Sequence, residues 1–336
     1  MTHLKVGIIG SGAIAKVHAS CVQNYHQTQL AGMVCTNAER KKELKNEFSC
    51  PLYSTEEELL AQPLDAVVVC NESGKHGASI IKAAKAKKHI LCEKPLEVTP
   101  QKIDTLLATV AAQGVTLGVV FQNRTHPEYL KFKKALKEGV IGTPLLAQTQ
   151  INWYRPPSYY ESNPWRGTLQ WDGGAALMNQ GIHTLDLLLD LLGDVDSVGG
   201  MIATKLHQIE GEDLAVAHLT FKNGVLGTLS GGTALYPGYP EQIALYGTQG
   251  RMIYEAGKII EAPLESLITT ATSTENNSNA TAKIENESLH LNILSNFIEA
   301  VMEQKEPLVN GYSAKKSVVL INALYQASNT ATIIKI

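Results

Sequence analysis

Three stretches of this 336-residue sequence combine side chains whose type and spacing could do chemistry. The first is Gly10-Ser11-Gly12-Ala13-Ile14-Ala15, placed after the apolar run Leu4-Ile9 and at the head of helical spacing over Ala13-Gln23. In such a turn the first glycine permits a tight bend and the second lets the backbone approach a pyrophosphate. The small third residue lets helix and strand pack closely, and the helix N-terminus meets the phosphate charge. The second stretch is Glu93-Lys94-Pro95, after a predicted strand His89-Cys92. A lysine there stands at the carboxyl edge of a sheet, where it could hold a developing alkoxide or pass a proton. The third runs from Trp171 to Asp186. On a helix Asn179, His183 and Asp186 share one face, and a histidine so placed could be the general base for a hydroxyl. A solvated lysine and a packing histidine satisfied by Asp186 are the plain alternatives.

The elements that must position these residues alternate at first. Strand runs at Leu4-Ile9, Leu30-Cys35, Ala66-Cys70, His89-Cys92 and Val115-Phe121 are separated by helical spacing at Ala13-Gln23, Ala38-Phe48, Ser79-Ala86 and Pro100-Ala112. Continuous apolar strands between helices predict a parallel, doubly wound α/β sheet. Beyond a helix near Pro127-Glu138 the pattern changes to successive strands: Leu145-Tyr154, Val198-Lys205, Leu214-Phe221, Val225-Ser230, Gln242-Tyr246 and Gly250-Glu255. Asn223-Gly224 joins two of them as a hairpin, and the whole predicts a mostly antiparallel sheet in an α+β half. One long helix, about Gly174-Leu192, interrupts it, and helices near Leu289-Gln304 and Ala314-Thr330 close the chain. The expected division is 1–121, a Rossmann-type dinucleotide domain, and 122–336, an α+β domain whose final helices pack back on the first. Residues 265 to 288 read as a polar surface excursion.

At the end of the second strand, Cys35-Thr36-Asn37 holds no carboxylate. An acid there would bind the ribose 2′-hydroxyl of NAD and repel the 2′-phosphate of NADP. Either dinucleotide is admitted, with a lean to NADP, and Cys35, Thr36, Asn37 and Arg40 are the expected ribose-end contacts. Gly10, Gly12, Ala13 and Ile14 are expected at the pyrophosphate, and Asn71 and His76 beside the cofactor at the fourth-strand loop. The segment Trp153-Tyr154-Arg155-Pro156-Pro157-Ser158-Tyr159-Tyr160, with Trp165 and Arg166, mixes aromatic faces and guanidinium donors, which suits a sugar, a cyclitol or a nucleotide-linked sugar. Tyr154, Arg155 and Tyr160 are the candidate substrate contacts.

Composition excludes other classes. A net charge of -3 with mixed signs gives no footprint for nucleic acid or an anionic membrane. Five scattered cysteines form no CxxC pair and no zinc spacing, so no metal is expected and the thiols are read as reduced. The first apolar run is a strand rather than a signal peptide, so a cytoplasmic location is expected. The sequons at Asn276, Asn279 and Asn286 are read as a by-product of a threonine-rich stretch.

Together these segments resemble the glucose-fructose oxidoreductase / inositol dehydrogenase (Gfo/Idh/MocA) family over nearly the whole chain. The likeness rests on the glycine turn, Glu93-Lys94-Pro95, Phe121-Gln122-Asn123-Arg124, Trp165-Arg166-Gly167, the block Gly173-Leu188 and the closing helices. The resemblance implies a dinucleotide domain followed by an open-faced sheet that often serves as an oligomer interface, here in a homodimer or homotetramer. It implies that 122–336 serves substrate binding and oligomerisation, with a substrate between the domains, Lys94 and His183 beside the nicotinamide, and often a cis Lys94-Pro95 bond. On these segments Glu93, Lys94, Gln122, Trp165 and Arg166 are expected on the cofactor and Arg124 on the substrate. Several inositol dehydrogenase relatives carry aspartate where this chain has Asn179. An amide can bond a hydroxyl but cannot accept its proton, so Asn179 is expected to position substrate, Asp186 to orient His183, and His183 or Lys94 to act as base.

The activity expected is NAD(P)-dependent hydride transfer to or from a secondary alcohol of a sugar or cyclitol. A UDP-sugar dehydrogenase, a non-catalytic NAD(P)-binding regulator and a glycosidase using transient redox chemistry are the alternatives.

Overall fold

The computed structural model describes residues 3–269 and 287–336, so the sequons and most of the expected excursion lie outside the described residues. The chain divides into two units, Met1–Gln122 with Ile284–Lys315, and Asn123–Lys283 with Lys316–Ile336.

In the first unit, strands β1 (Leu4–Ile9), β2 (Thr28–Val34), β3 (Leu52–Tyr53), β4 (Ala66–Val69), β5 (His89–Cys92) and β6 (Leu117–Val119) form one parallel sheet in the order β3-β2-β1-β4-β5-β6. That is the doubly wound dinucleotide order, in which the chain reverses direction across the sheet between β1 and β4. Helices α1 (Ala13–Asn24), α2 (Ala38–Glu47), α3 (Glu56–Leu60), α4 (His76–Lys85) and α5 (Pro100–Gln113) connect the strands. All four residues of β4 are buried, which is why its sequence is an unbroken AVVV run. In α1 the buried residues Ala15, His18, Ala19 and Val22 recur at helical spacing, and one of them is polar.

The second unit opens with α6 (Pro127–Lys137) and β7 (Pro144–Asn152), followed by α7 (Pro157–Glu161) and α8 (Ile182–Leu192). Then come β8 (Val195–Ala203), β9 (Leu214–Phe221), β10 (Leu226–Gly232), β11 (Gln242–Gly247), β12 (Gly250–Glu255) and β13 (Lys258–Glu261). Helices α9 (Glu287–Glu303) and α10 (Gly311–Thr330) precede β14 (Ile334–Lys335). The eight strands run β13-β12-β11-β7-β10-β9-β8-β14, antiparallel except between β7 and β10. Leu226 pairs with Thr220 across the predicted hairpin, where Gly224 takes a positive φ of 86°. Alternation along β9 buries Ala215, Leu219 and Phe221 on one face. The other face carries Met201, Val216 and Leu226, 69%, 51% and 56% exposed.

One expectation needs correcting. The segment 174–192 is not a single regular helix: Ala176–Gly181 is a wide π-type turn and α8 begins only at Ile182. Its entry is set by Gly174, at φ +136°, where a Cβ would collide with the Tyr325 hydroxyl. The buried Glu212 carboxylate accepts the backbone N–H groups of Ala175 and Leu177 and the Tyr325 hydroxyl, holding the turn open.

Helix α9 belongs to the first unit and packs on α1. Its Phe297 is fully buried beside Gly118 of β6. Phe297→Ala is expected to cost about 3–5 kcal/mol of stability by leaving a cavity. Urea denaturation measures this, and a loss under 1 kcal/mol would show that α9 does not stabilise the sheet.

Candidate active site

At the carboxyl end of β1, Gly10 has φ +134° and a Cβ there would lie 2.7 Å from the Cys70 carbonyl oxygen at the end of β4. Only glycine fits so close a passage between the two strands. Gly12 caps α1 with no side-chain hydrogen bond, no acid stands in the first turn, and a Cβ on Gly12 would meet nothing within 4 Å. Gly12, Ala13 and Ile14 are open to solvent while Ala15 is buried against the sheet. The helix thus presents uncapped N–H groups at an open cradle, which fits a dinucleotide pyrophosphate. At the next strand end Cys35 is buried, its thiol donating to the Asn37 carbonyl, whereas Thr36, Asn37 and Arg40 are exposed. Asn37 Oδ1 accepts from the Arg40 N–H and caps α2, leaving the Arg40 guanidinium in solvent.

The loop after β5 is held by its own charges. His18 Nε2 and the Glu93 carboxylate are 2.8 Å apart, and the Lys94 N–H donates to the other Glu93 oxygen at 3.1 Å. Burial alone would push the Glu93 carboxyl up. The His18 hydrogen bond, the charge of Lys94 and the charges His18 and His290 carry when protonated outweigh it and hold Glu93 at about 2. His290, on α9, stands edge-on to His18 with ring centroids 5.4 Å apart. The atoms of His18, Glu93 and His290 able to ligate a cation lie within 4.8 Å of one another, although a cation would displace the His18–Glu93 hydrogen bond. Farther along, Glu97 accepts from the Gly77 and Val98 N–H groups. Between Cys92 and Val98 only Lys94 is not buried. The Lys94-Pro95 peptide is cis.

His76 and Asn71 are differently employed than expected. The buried His76 ring lies between two carbonyl oxygens, Pro95 at 2.7 Å and Asn71 at 3.0 Å, and burial lowers its pKa. It braces the lysine loop from within. The Asn71 amide donates to Ser79 and Glu56, while its buried Oδ1 makes no hydrogen bond. Gln122 is half-buried in the short turn Gln122–Thr125.

In the second unit every residue from Asp172 to Leu189 is buried except Asn179 and His183. Asn179 donates to Asp172 at 2.5 Å, and Asp172 also accepts the Gly167 N–H. Two expectations fail here. Asp186 does not orient His183: its two oxygens take Arg124 Nε and Nη2, each at 2.7 Å. Arg124 is accordingly buried in an ion pair and also reaches Asp190 at 3.2 Å, so in this structure its guanidinium is engaged by α8 rather than open to a substrate. Burial pushes Asp186 up to about 6, with Arg124 opposing the rise. Tyr160 is likewise buried, its hydroxyl 2.7 Å from that of Thr233. Tyr154 is half-buried, edge-on to Tyr236 at 5.2 Å. Arg155 is buried with Nε donating to Gln180 Oε1 at 2.7 Å. Arg166 lies over the Trp165 and Tyr159 rings at 5.0 and 4.2 Å and donates to the Tyr159 hydroxyl.

Sequence reading missed His18, His290, Glu97, Gln180 and Glu212. For the two histidines a signal existed: each sits at helical spacing among buried apolar residues, where a polar ring requires a partner.

A doubly wound sheet with an uncapped, glycine-led first helix defines the class, a dinucleotide-binding oxidoreductase. The comparisons give the family. Residues 4–121 match the oxidoreductase family, NAD-binding Rossmann fold, and residues 129–253 match the GFO/IDH/MocA C-terminal domain. The chain belongs to the Gfo/Idh/MocA family of NAD-binding oxidoreductases. It is 30% identical to the UDP-N-acetylglucosamine 3-dehydrogenase of Acidithiobacillus ferrooxidans, over 68% of this chain and 67% of that one. It is 29% identical to the myo-inositol 2-dehydrogenase of Thermotoga maritima, over 74% of each. Among solved structures it resembles the WlbA dehydrogenase of Bordetella pertussis in complex with NADH and UDP-GlcNAcA. That match has a TM-score of 0.89 and 28% identity, covering 100% of this chain and 98% of that one.

Glu93→Gln keeps the shape of the anchor and removes its charge. It is expected to cost about 1.5–3 kcal/mol at neutral pH. Because the folded pKa is depressed, that difference from wild type should be full above pH 4.5 and vanish as pH falls through about 2. Denaturation across pH reads it; a difference independent of pH contradicts the charge assignment.

Proposed function

We propose that the protein is an NAD(P)-dependent dehydrogenase acting on a secondary alcohol of a sugar or cyclitol. The observation that carries this reading is that Lys94 in one unit, and Asn179 and His183 in the other, are the accessible polar residues of otherwise buried segments. Bound nicotinamide supplies or accepts the hydride. His183 exchanges the hydroxyl proton, Lys94 supports charge on the substrate oxygen, and Asn179 fixes a hydroxyl through its amide. The Asp172 bond to the Asn179 N–H group aims that amide. Gly10, Gly12, Ala13 and Ile14 cradle the pyrophosphate. Exposed Arg40, with no acid at 35–37, supports NADP being accepted at least as well as NAD.

A nucleotide-sugar substrate is the second reading, favoured by the UDP-sugar relatives and by the acid-free arginines Arg155 and Arg166. A homodimer or homotetramer built on the exposed sheet face is supported by Met201, Val216 and Leu226. Light scattering should give a multiple of the 36.4 kDa chain mass, falling toward monomer in Val216→Glu; a monomeric wild type would contradict it. No helix among the described residues is long and apolar enough to cross a membrane. Five free thiols suit the reducing cytoplasm.

With both NAD and NADP, nicotinamide absorbance should change on addition of a member of a sugar, inositol and UDP-sugar panel. Lys94→Met and His183→Asn are each expected to lower kcat by roughly 10²–10⁴-fold while cofactor Kd stays within about threefold. If both variants retain full turnover, the assignment fails.

A further inference from the structure

Of the five arginines, Arg124 and Arg251 face carboxylates and Arg40 is in solvent. Arg155 is different. Its residue is only 8% exposed, and the ionised neighbour acting on it is another cation, Arg166. Both guanidinium groups lie over the Tyr159 ring, at 5.2 and 4.2 Å from its centroid. A buried guanidinium without an acid carries a desolvation cost that aromatic faces offset only in part, and a second cation nearby raises it.

The rest of the constellation is fixed rather than adaptable. The Arg155 N–H donates to the Thr233 carbonyl at 2.8 Å, and His207 Nε2 stands 2.8 Å from the Arg155 carbonyl oxygen. His207 is itself locked to Asp213, which also accepts three backbone N–H groups. Arg155 Nε is committed to Gln180 Oε1, so its terminal nitrogens are the part left to bind something else. Gln180 is 5% exposed, and its buried Nε2 faces the Tyr159 oxygen. That oxygen also accepts Arg166 Nη1, so the Gln180 amide shares it and keeps a second N–H for another acceptor. Gln180 follows directly on Asn179 in the π-type turn.

We infer that Arg155 and Gln180 form an acceptor site for a carboxylate on the substrate, so that the natural substrate is a sugar acid, free or nucleotide-linked. The inference rests on the sugar dehydrogenase reading above and narrows it. A planar carboxylate matches the guanidinium edge and can accept from the amide alongside it. It also supplies a negative charge to Arg155, which makes no ion pair with a carboxylate among the described residues. A neutral sugar offers acceptors but no charge, and leaves the guanidinium buried without a counter-ion.

The test is calorimetric titration of NADH-loaded protein with UDP-GlcNAcA against UDP-GlcNAc, D-glucuronate against D-glucose, and UDP alone. The acid of each pair should bind about tenfold or more tightly, as expected for charge-assisted hydrogen bonds. Arg155→Gln should remove most of that preference. So should Gln180→Glu, which keeps the guanidinium but gives it a carboxylate of its own. Unchanged melting temperatures exclude misfolding, and either folded variant suffices. Equal binding of acid and neutral sugar by wild type overturns the inference, as does a preference that survives both variants. If UDP alone binds as tightly as UDP-GlcNAcA and with the same Arg155 dependence, the anion is the diphosphate and the carboxylate assignment fails. Because calorimetry reads binding, an Arg155-dependent acid preference without any turnover would sink the dehydrogenase reading alone.

Discussion

Glu93 is a carboxylate kept charged in a buried place, and much of the first unit follows from satisfying it. A lone charge there would be intolerable, so each oxygen must meet a donor. One meets His18 from α1 and the other the backbone of Lys94. His290 brings α9 to the same point and adds its positive field. Two parts of the chain distant in sequence, α1 and α9, are thereby pinned to the carboxyl end of β5. His76 and Glu97 clamp the following residues, and what remains accessible is the lysine side chain. The rigidity of this loop is electrostatic in origin, with a catalytic lysine as its proposed purpose.

The second unit solves a comparable problem with a different device. A helix that began at Gly174 would turn Asn179 and His183 with ordinary 3.6-residue spacing. Glu212 instead takes the amides that such a helix would leave unpaired, and the chain runs through a wider turn before α8 starts. Asp172 then pulls the Asn179 amide into place. Beneath, the Arg124–Asp186 pair fastens α8 to the segment after β6, so the polar residues below His183 serve packing rather than proton transfer.

Periodicity made the architecture legible. The strand-helix alternation, the buried AVVV strand and the Asn223-Gly224 hairpin each follow from local spacing, and the structure has all three. Lys94, Asn179 and His183 stand out in the sequence by type and motif context, and in the structure each is less buried than its neighbours. What failed was pairing at long range. Nothing near Arg124 in sequence reveals that its partner lies 62 residues away, so a buried ion pair looked like a substrate contact. Likewise Asp186 at i,i+3 from His183 suggested a local bond, whereas a guanidinium outside the helix wins it. The wide turn was hidden because Glu212, which stabilises it, arrives from a different element. His18 and His290 show the opposite case: each was readable as a polar residue on an apolar helix face, but not as one cluster.

Hydride transfer between a sugar carbon and a nicotinamide is the chemistry on which the proposed function stands or falls. The direct measurement offers the protein NAD and NADP with sugars, cyclitols and sugar acids deuterated at their carbinol carbons, and follows the label by mass spectrometry. Deuterium is expected in the reduced nicotinamide for an accepted substrate, with label transfer abolished in His183→Asn. Tight cofactor binding with no label transferred from any of them would contradict it.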